Sequence, residues 1–232
     1  MIDRRAVLAA LWCVAVSGCS STTTGTAMPA PPIPAPTAET LPGLLLSAED
    51  VGAALDAEEI VVSGEVSAPW NDATHFHSAA QQGCLAIAGA AQQAVYANTG
   101  WTALHGQVLR EAPAARPWSH FVTQAVVLFG DPAAAAAFLD TQQISWAGCS
   151  NRELRYAQPM APDQVWAVGP THADNDTLTV SREQSSPQHW FCQRALTVHA
   201  NVGVDVEACS LNGPTAAAAE IAAAIADRLP AA

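Results

Sequence analysis

Apolar residues along this chain recur at two intervals, and the two-residue interval dominates its second half. The clearest case is W-F-C-Q-R-A-L-T-V-H-A-N-V-G-V-D-V-E-A-C-S, residues 190–210. Two β-rich runs, Phe191–His199 and Val202–Cys209, flank Ala200-Asn201, and Asn tolerates the left-handed backbone that tight hairpins need. A two-residue loop pairs His199 with Val202 and, counting back, Arg194 with Glu207 and Cys192 with Cys209. On that count the cysteines share a non-hydrogen-bonded rung, where Cα atoms approach to about 4.5 Å, within disulfide reach. An opposed charge pair and an opposed cysteine pair in one register support each other. The other face carries Ala195, Val202, Val204, Val206 and Ala208 as an apolar strip.

The same patterns predict strands over Glu59–Val66, Trp101–Arg110 and His120–Phe129, and shorter ones near Glu153–Tyr156, Gln164–Val168 and Thr177–Arg182. Helices are predicted over Ala48–Ala57, capped by Ser47 with Asp50 at its third position, and over Leu85–Ala97, stopped by Asn98-Thr99-Gly100. A third, Ala133–Ala147, opens on Asp131-Pro132 and carries Phe138, Leu139 and Ile144. A last one follows Pro214, with Ala218, Ile221, Ile225 and Leu229 on one stripe. Helices interleaved with hairpin-type strands define an α+β fold: one domain, a mainly antiparallel sheet packed with helices.

The start of the chain has a different character. Arg4 and Arg5 precede a short apolar run, Ala6–Val16, too short to span a bilayer. It ends in Val16-Ser17-Gly18-Cys19, which resembles a bacterial lipobox. The expectation is a signal peptide over residues 1–18 and a diacylglycerol-modified Cys19, so that the membrane is met through a lipid anchor on its extracytoplasmic face. An ordinary secretory signal would leave Cys19 as a free thiol. The paired arginines also fit a loose twin-arginine signal beside the general export route. Residues 19–43, rich in Ser, Thr, Ala and Pro without periodicity, read as a disordered tether that permits O-glycosylation; the folded domain is expected over 44–230.

Six cysteines are present. Cys13 falls in the signal and Cys19 takes lipid, leaving Cys84, Cys149, Cys192 and Cys209 as an even set in an exported chain. The hairpin register selects Cys192–Cys209, which leaves Cys84–Cys149. The absence of any C-x-x-C spacing argues against zinc.

The formal net charge is −12, from 21 acidic and 9 basic residues, and all the basic ones are arginine. No basic cluster exists, which argues against nucleic acid and against charge-driven binding to anionic membranes. No G-x-S-x-G elbow or phosphate loop appears, and without lysine a Ser–Lys mechanism is impossible. His75-x-His77 near Asp72 offers two imidazoles but no third ligand at convincing spacing, so neither metal nor cofactor is expected. His120 and His199, at strand ends, read as satisfied side chains. Glu58-Glu59, Asp174 and Asp176 read as solvated loop charges. Trp101, Trp146, Trp166 and Trp190 stand beside apolar elements and read as core. Trp70 and Trp118 lie in irregular segments and, with His75, His77 and Arg116, form the expected rim of a binding cleft.

Several stretches in order carry a family resemblance: C-L-A-I-A-G-A-A-Q-Q-A-V-Y-A-N-T-G-W (84–101), Q-A-V-V-L-F (124–129), A-A-A-F-L (135–139) with W-A-G-C (146–149), and C-Q-R-A-L-T-V-H-A-N-V-G-V-D-V-E-A-C (192–209). Together they resemble the PknH-like extracellular sensor domains of mycobacteria, across most of residues 44–230. The resemblance implies two disulfides paired in sequence order and a single α+β domain with a large cleft for a ligand. The kinase and transmembrane segments of such receptors are not matched here; the signal, lipobox and tether stand in their place. The expected function is a non-enzymatic, lipid-anchored ligand-binding lipoprotein whose partner is a small envelope molecule. The alternatives are an envelope hydrolase and a lipoprotein that contacts another envelope protein.

Overall fold

The structure, a computed structural model, describes residues 35–70, 79–113, 117–157, 160–174, 176–186 and 188–230. Its centre is one eight-stranded antiparallel sheet. In chain order the strands are β1 (Ile60–Val66), β2 (Trp101–Glu111), β3 (His120–Phe129), β4 (Glu153–Tyr156), β5 (Gln164–Asp174), β6 (Thr177–Ser186), β7 (Phe191–His199) and β8 (Val202–Ser210). Across the sheet the order is β1-β2-β3-β8-β7-β6-β5-β4, so the β7–β8 hairpin occupies the middle. That position explains why all nine residues of β8 are buried, including its glycine and both acids. The register is the one expected from a two-residue loop: His199 faces Val202, Arg194 faces Glu207 and Cys192 faces Cys209. The disulfides Cys192–Cys209 and Cys84–Cys149 are both formed, with Cα separations of 4.0 and 5.7 Å.

Helices cover both faces. On one lie α1 (Ala48–Leu55), the 3-10 turn Leu41–Leu44 and α6 (Ala217–Ala226). The apolar strip Ala195, Val202, Val204, Val206 and Ala208 meets Ala218, Ile221 and Ile225 there. The other face carries α3 (Leu85–Ala88), α4 (Gln93–Tyr96) and α5 (Pro132–Cys149), packed through Ile87, Tyr96, Phe138 and Trp146 on Leu104, Val127, Phe129 and Leu196. A short helix, α2 (Ala79–Gln82), precedes Cys84. Ser47 and Asp50 form a complete capping box on α1, and Asp131 caps α5 by accepting from Ala134 N.

Four expectations need correction. The single helix over Leu85–Ala97 is broken into α3 and α4, because tertiary bonds take the backbone groups a helix would use. Ala91, at φ 53°, donates its N–H to Asp205 and accepts from Trp70 N. Strand β5 runs six residues past Val168, since Pro170 falls where the β5–β6 register shifts and no ladder N–H is needed. The left-handed residue at the hairpin tip is Ala200, at φ 49°; Asn201 instead exchanges bonds with Phe129, donating to its carbonyl and accepting from its N–H. Ile144 projects from the outer side of α5 and is 77 % exposed, while Phe138 and Leu139 are buried.

Candidate functional site

The face under α3, α4 and α5 carries the chemistry. Strand alternation places side chains in rows across it. One row runs Arg110, Phe121, Cys209, Cys192, Arg182, Val168 along the ladder from β2 to β5, and the next runs through Thr123, Glu207, Arg194 and Val180.

Within these rows sit two buried ion pairs, although the ladder alone suggests one. Arg194 faces Glu207 in register but bonds diagonally to Asp205, at 2.6 Å. Its remaining donors go to Ala86 O and Val206 O. Asp205 also accepts from Tyr96 Oη and Ala91 N, each at 2.8 Å, so the pair fastens both short helices to the central strand. Burial first, and then the neighbouring Asp205 charge, push the Tyr96 hydroxyl well above its ordinary value. Glu207 pairs instead with Arg182, which donates to Tyr156 Oη at 2.6 Å and lies 4.5 Å from the Trp166 ring centroid. Burial pulls the Arg182 guanidinium down, opposed by Tyr156. Neither network follows from sequence spacing, because Tyr96, Tyr156, Trp166 and Arg182 come from four separate elements. The available signal was charged residues on the cysteine-bearing face of a central strand pair.

Beyond these rows, at the end of the sheet where β3 and β7 begin, an open recess of about 820 Å³ is lined among the described residues by Pro117, Trp118, Gln188, Trp190 and Leu211. Trp190 packs edge-on against Phe121, with centroids 5.6 Å apart. The Arg110 guanidinium lies 3.8 Å from the centroid of the Trp118 ring. Next to it, Glu111 closes the base of the β2–β3 connection: it accepts from Ser119 N, His120 N and His120 Nδ1, the last at 2.7 Å. Burial raises the Glu111 carboxyl, but these bonds lower it by more, leaving it below the usual range.

Of the expected rim residues, Trp118 lines this recess. Trp70 does not: it is half-buried and bridges Gln92 at the α3–α4 link. His75, His77 and Arg116 lie outside the described residues, as does Cys19. Trp190, read as core, packs against the core and lines the recess as well. Trp146 and Trp166 are buried. His120 and His199 are satisfied, His199 Nε2 standing 2.7 Å from Pro230 O. Among the described residues, the one cluster of possible metal ligands is Cys192, Glu207 and Cys209, and its two sulfurs are bonded to each other.

The chain is thus a two-disulfide α+β domain with an aromatic recess at one end of its sheet. Residues 36–228 match the family model described as the PknH-like extracellular domain, and the chain belongs to that family. It is 32 % identical over 197 residues to the serine/threonine-protein kinase PknH of Mycobacterium bovis, covering 84 % of this chain and 32 % of the kinase; the Mycobacterium tuberculosis kinase matches at the same identity, with 30 % covered. The chain thus spans about a third of the length of these curated relatives. The crystal structure of the extracellular domain of PknH from Mycobacterium tuberculosis superposes with a TM-score of 0.75 at 29 % identity, over 85 % of this chain and 97 % of that one. The matched part of the kinase is its extracellular domain, which supports an extracytoplasmic location. No helix among the described residues is long and apolar enough to cross a membrane.

Proposed function

We propose that this chain is a lipid-anchored, non-enzymatic module that binds a small envelope ligand outside the cytoplasmic membrane. The observation that carries the reading is the recess between Trp118 and Trp190. Its volume lies in the range of small-molecule sites, and its walls are flat aromatic surfaces with few polar groups. The charged side chains of Arg182, Arg194, Asp205 and Glu207 are all engaged with one another or with backbone and tyrosine groups, a structural arrangement rather than an acid–base pair poised over a substrate.

The anchor is Cys19 in Val16-Ser17-Gly18-Cys19, followed by the tether. The chain enters the described domain at Ala35-Pro36, beside the β7–β8 hairpin tip at His199–Val202. The recess is at the far end of those strands. Nine residues of β7 at about 3.3 Å each separate the two ends by roughly 30 Å, so the recess lies at the opposite end of the sheet from the tether's entry point.

Native mass spectrometry of the lipidated protein, taken gently from its own membrane and then exposed to an organic extract of the envelope, tests both parts. The expected result is an intact mass bearing acyl chains at Cys19 and one bound envelope molecule. A protein that carries nothing and takes nothing from the extract refutes the ligand reading, and an unmodified Cys19 refutes the anchor.

A further inference from the structure

A second concavity lies in the helical layer, between α5 and the stretch that runs from α4 to Thr99, with Gln82 and Gly83 at one end. This groove has a volume of about 570 Å³ and shares no lining residue with the recess between Trp118 and Trp190. Its walls are fixed by the fold. Phe138, which lines it, stacks on the buried Tyr96 ring with centroids 4.8 Å apart. The Cys84–Cys149 disulfide and the bond from Ser145 Oγ to Gly83 O, at 3.4 Å, tie α5 to the chain that follows α2. Among the described residues no charged side chain lines the groove, in a chain with 21 acidic and 9 basic residues. Two of its hydroxyls are turned inward: Thr99 Oγ1 donates to Tyr96 O and Thr141 Oγ1 to Ala137 O, each at 2.8 Å.

Gln142 is the polar group left over. The buried stripe of α5 is Ala135, Phe138, Leu139, Gln142, Trp146 and Cys149, and helical spacing calls for an apolar residue at each of these positions. Gln142 breaks the stripe where it borders the groove. It lines the groove, is 5 % exposed, and its Oε1 is enclosed with no hydrogen-bond partner. A carbonyl oxygen shut away without a donor costs stability, and a donor brought to it by a guest removes that cost. The last torsion of glutamine is broad, so the amide turns its oxygen toward the groove without leaving its rotamer. We infer that this groove is a second binding site, and that it takes a neutral ligand joining an apolar body to one hydrogen-bond donor, an amide N–H or a hydroxyl, which Gln142 Oε1 accepts. The volume falls in the range of small-molecule sites. Ala94, Val95, Ala137 and Phe138 meet the apolar body, and the uncharged lining offers no counter-charge to an anion or a cation.

The test titrates the full chain in phosphatidylcholine nanodiscs with three probes sharing one body: 4-ethylbenzamide, methyl 4-ethylbenzoate and 4-ethylbenzoate. The first has a donor, the second has none, and the third is an anion. Alanine-methyl NMR reads where and how tightly each binds, since Ala94, Ala97, Ala134 and Ala137 all line the groove. The expected result is that these methyls shift with the amide, which binds about five-fold or more tighter than the ester, with the carboxylate weakest. Gln142→Met should bring the amide down to the level of the ester. Ala137→Trp, a change at an exposed wall position, should abolish binding of all three. Because the empty groove leaves an acceptor unpaired, Gln142→Met should also raise the melting temperature by about 2–4 °C. Equal binding of amide and ester, an amide preference that survives Gln142→Met, or no binding of any probe would overturn the inference. So would a lower melting temperature in Gln142→Met, which would show the oxygen already satisfied in the empty protein. Probes that shift only methyls outside the groove would overturn this site and leave the recess between Trp118 and Trp190 standing.

Discussion

Replacing Asp205 with Asn isolates the bond that joins the helices to the central strand. Asp205 is 3 % exposed and Arg194 1 %, so neither charge has water to fall back on. Asp205 accepts from Arg194 Nη2, Tyr96 Oη and Ala91 N. The amide keeps the shape and one acceptor oxygen, enough for one or two of the neutral donors, but removes the counter-charge and turns two N–H donors toward groups that are donors themselves. Breaking a buried pair from one side costs about 3–5 kcal/mol, because the remaining charge is uncompensated. Against a total stability of about 5–15 kcal/mol, that changes the folded-to-unfolded ratio by two to four orders of magnitude. Equilibrium urea unfolding with disulfides intact, followed by tryptophan fluorescence, measures it. Adding Arg194→Met to the same chain removes the orphaned charge and should recover about 1–3 kcal/mol. Full recovery is not expected, since Ala86 O and Val206 O then lose their donors. A single variant within about 1 kcal/mol of the parent, or a double variant no more stable than the single, would show that the pair does not hold α3 and α4 in place.

Two further outcomes follow from the same geometry. The Tyr96 hydroxyl titrates well above its ordinary value of 10.0, so above that pH the unfolded chain releases a proton that the folded chain keeps. Stability from this group is therefore complete below about pH 10 and is lost as pH rises beyond it; a urea series across pH 9–12 should show a falling limb that Tyr96→Phe makes shallower. The two disulfides close loops of unequal length, with sequence separations of 65 and 17. Chain entropy alone makes them worth about 4 and about 3 kcal/mol, so replacing the Cys84–Cys149 pair by alanines should cost about 1 kcal/mol more than replacing Cys192–Cys209, and a thermal-unfolding order opposite to this would refute the entropic account.

Much of this protein is written in local patterns. The alternation of Phe191–His199 and Val202–Cys209 about two turn residues determined the hairpin, its register and one disulfide, and counting then assigned the other. The stripe of Ala218, Ile221, Ile225 and Leu229 determined which face of the last helix is buried. Ser47 with Asp50, and Asp131 with Pro132, marked two helix starts through bonds that span only three residues. These features are legible because their partners lie within a few residues or repeat at a fixed period. What the tertiary structure decided depends on residues far apart in the chain. Asp205 breaks the expected helix at Ala91 from 114 residues away. It also draws Arg194 from the acid directly opposite, and so frees Glu207 for Arg182. Trp118 and Trp190 form one recess because β3 and β7 flank β8 and begin at the same end of the sheet, whereas Trp70 is carried to the α3–α4 link by the course of the chain after β1.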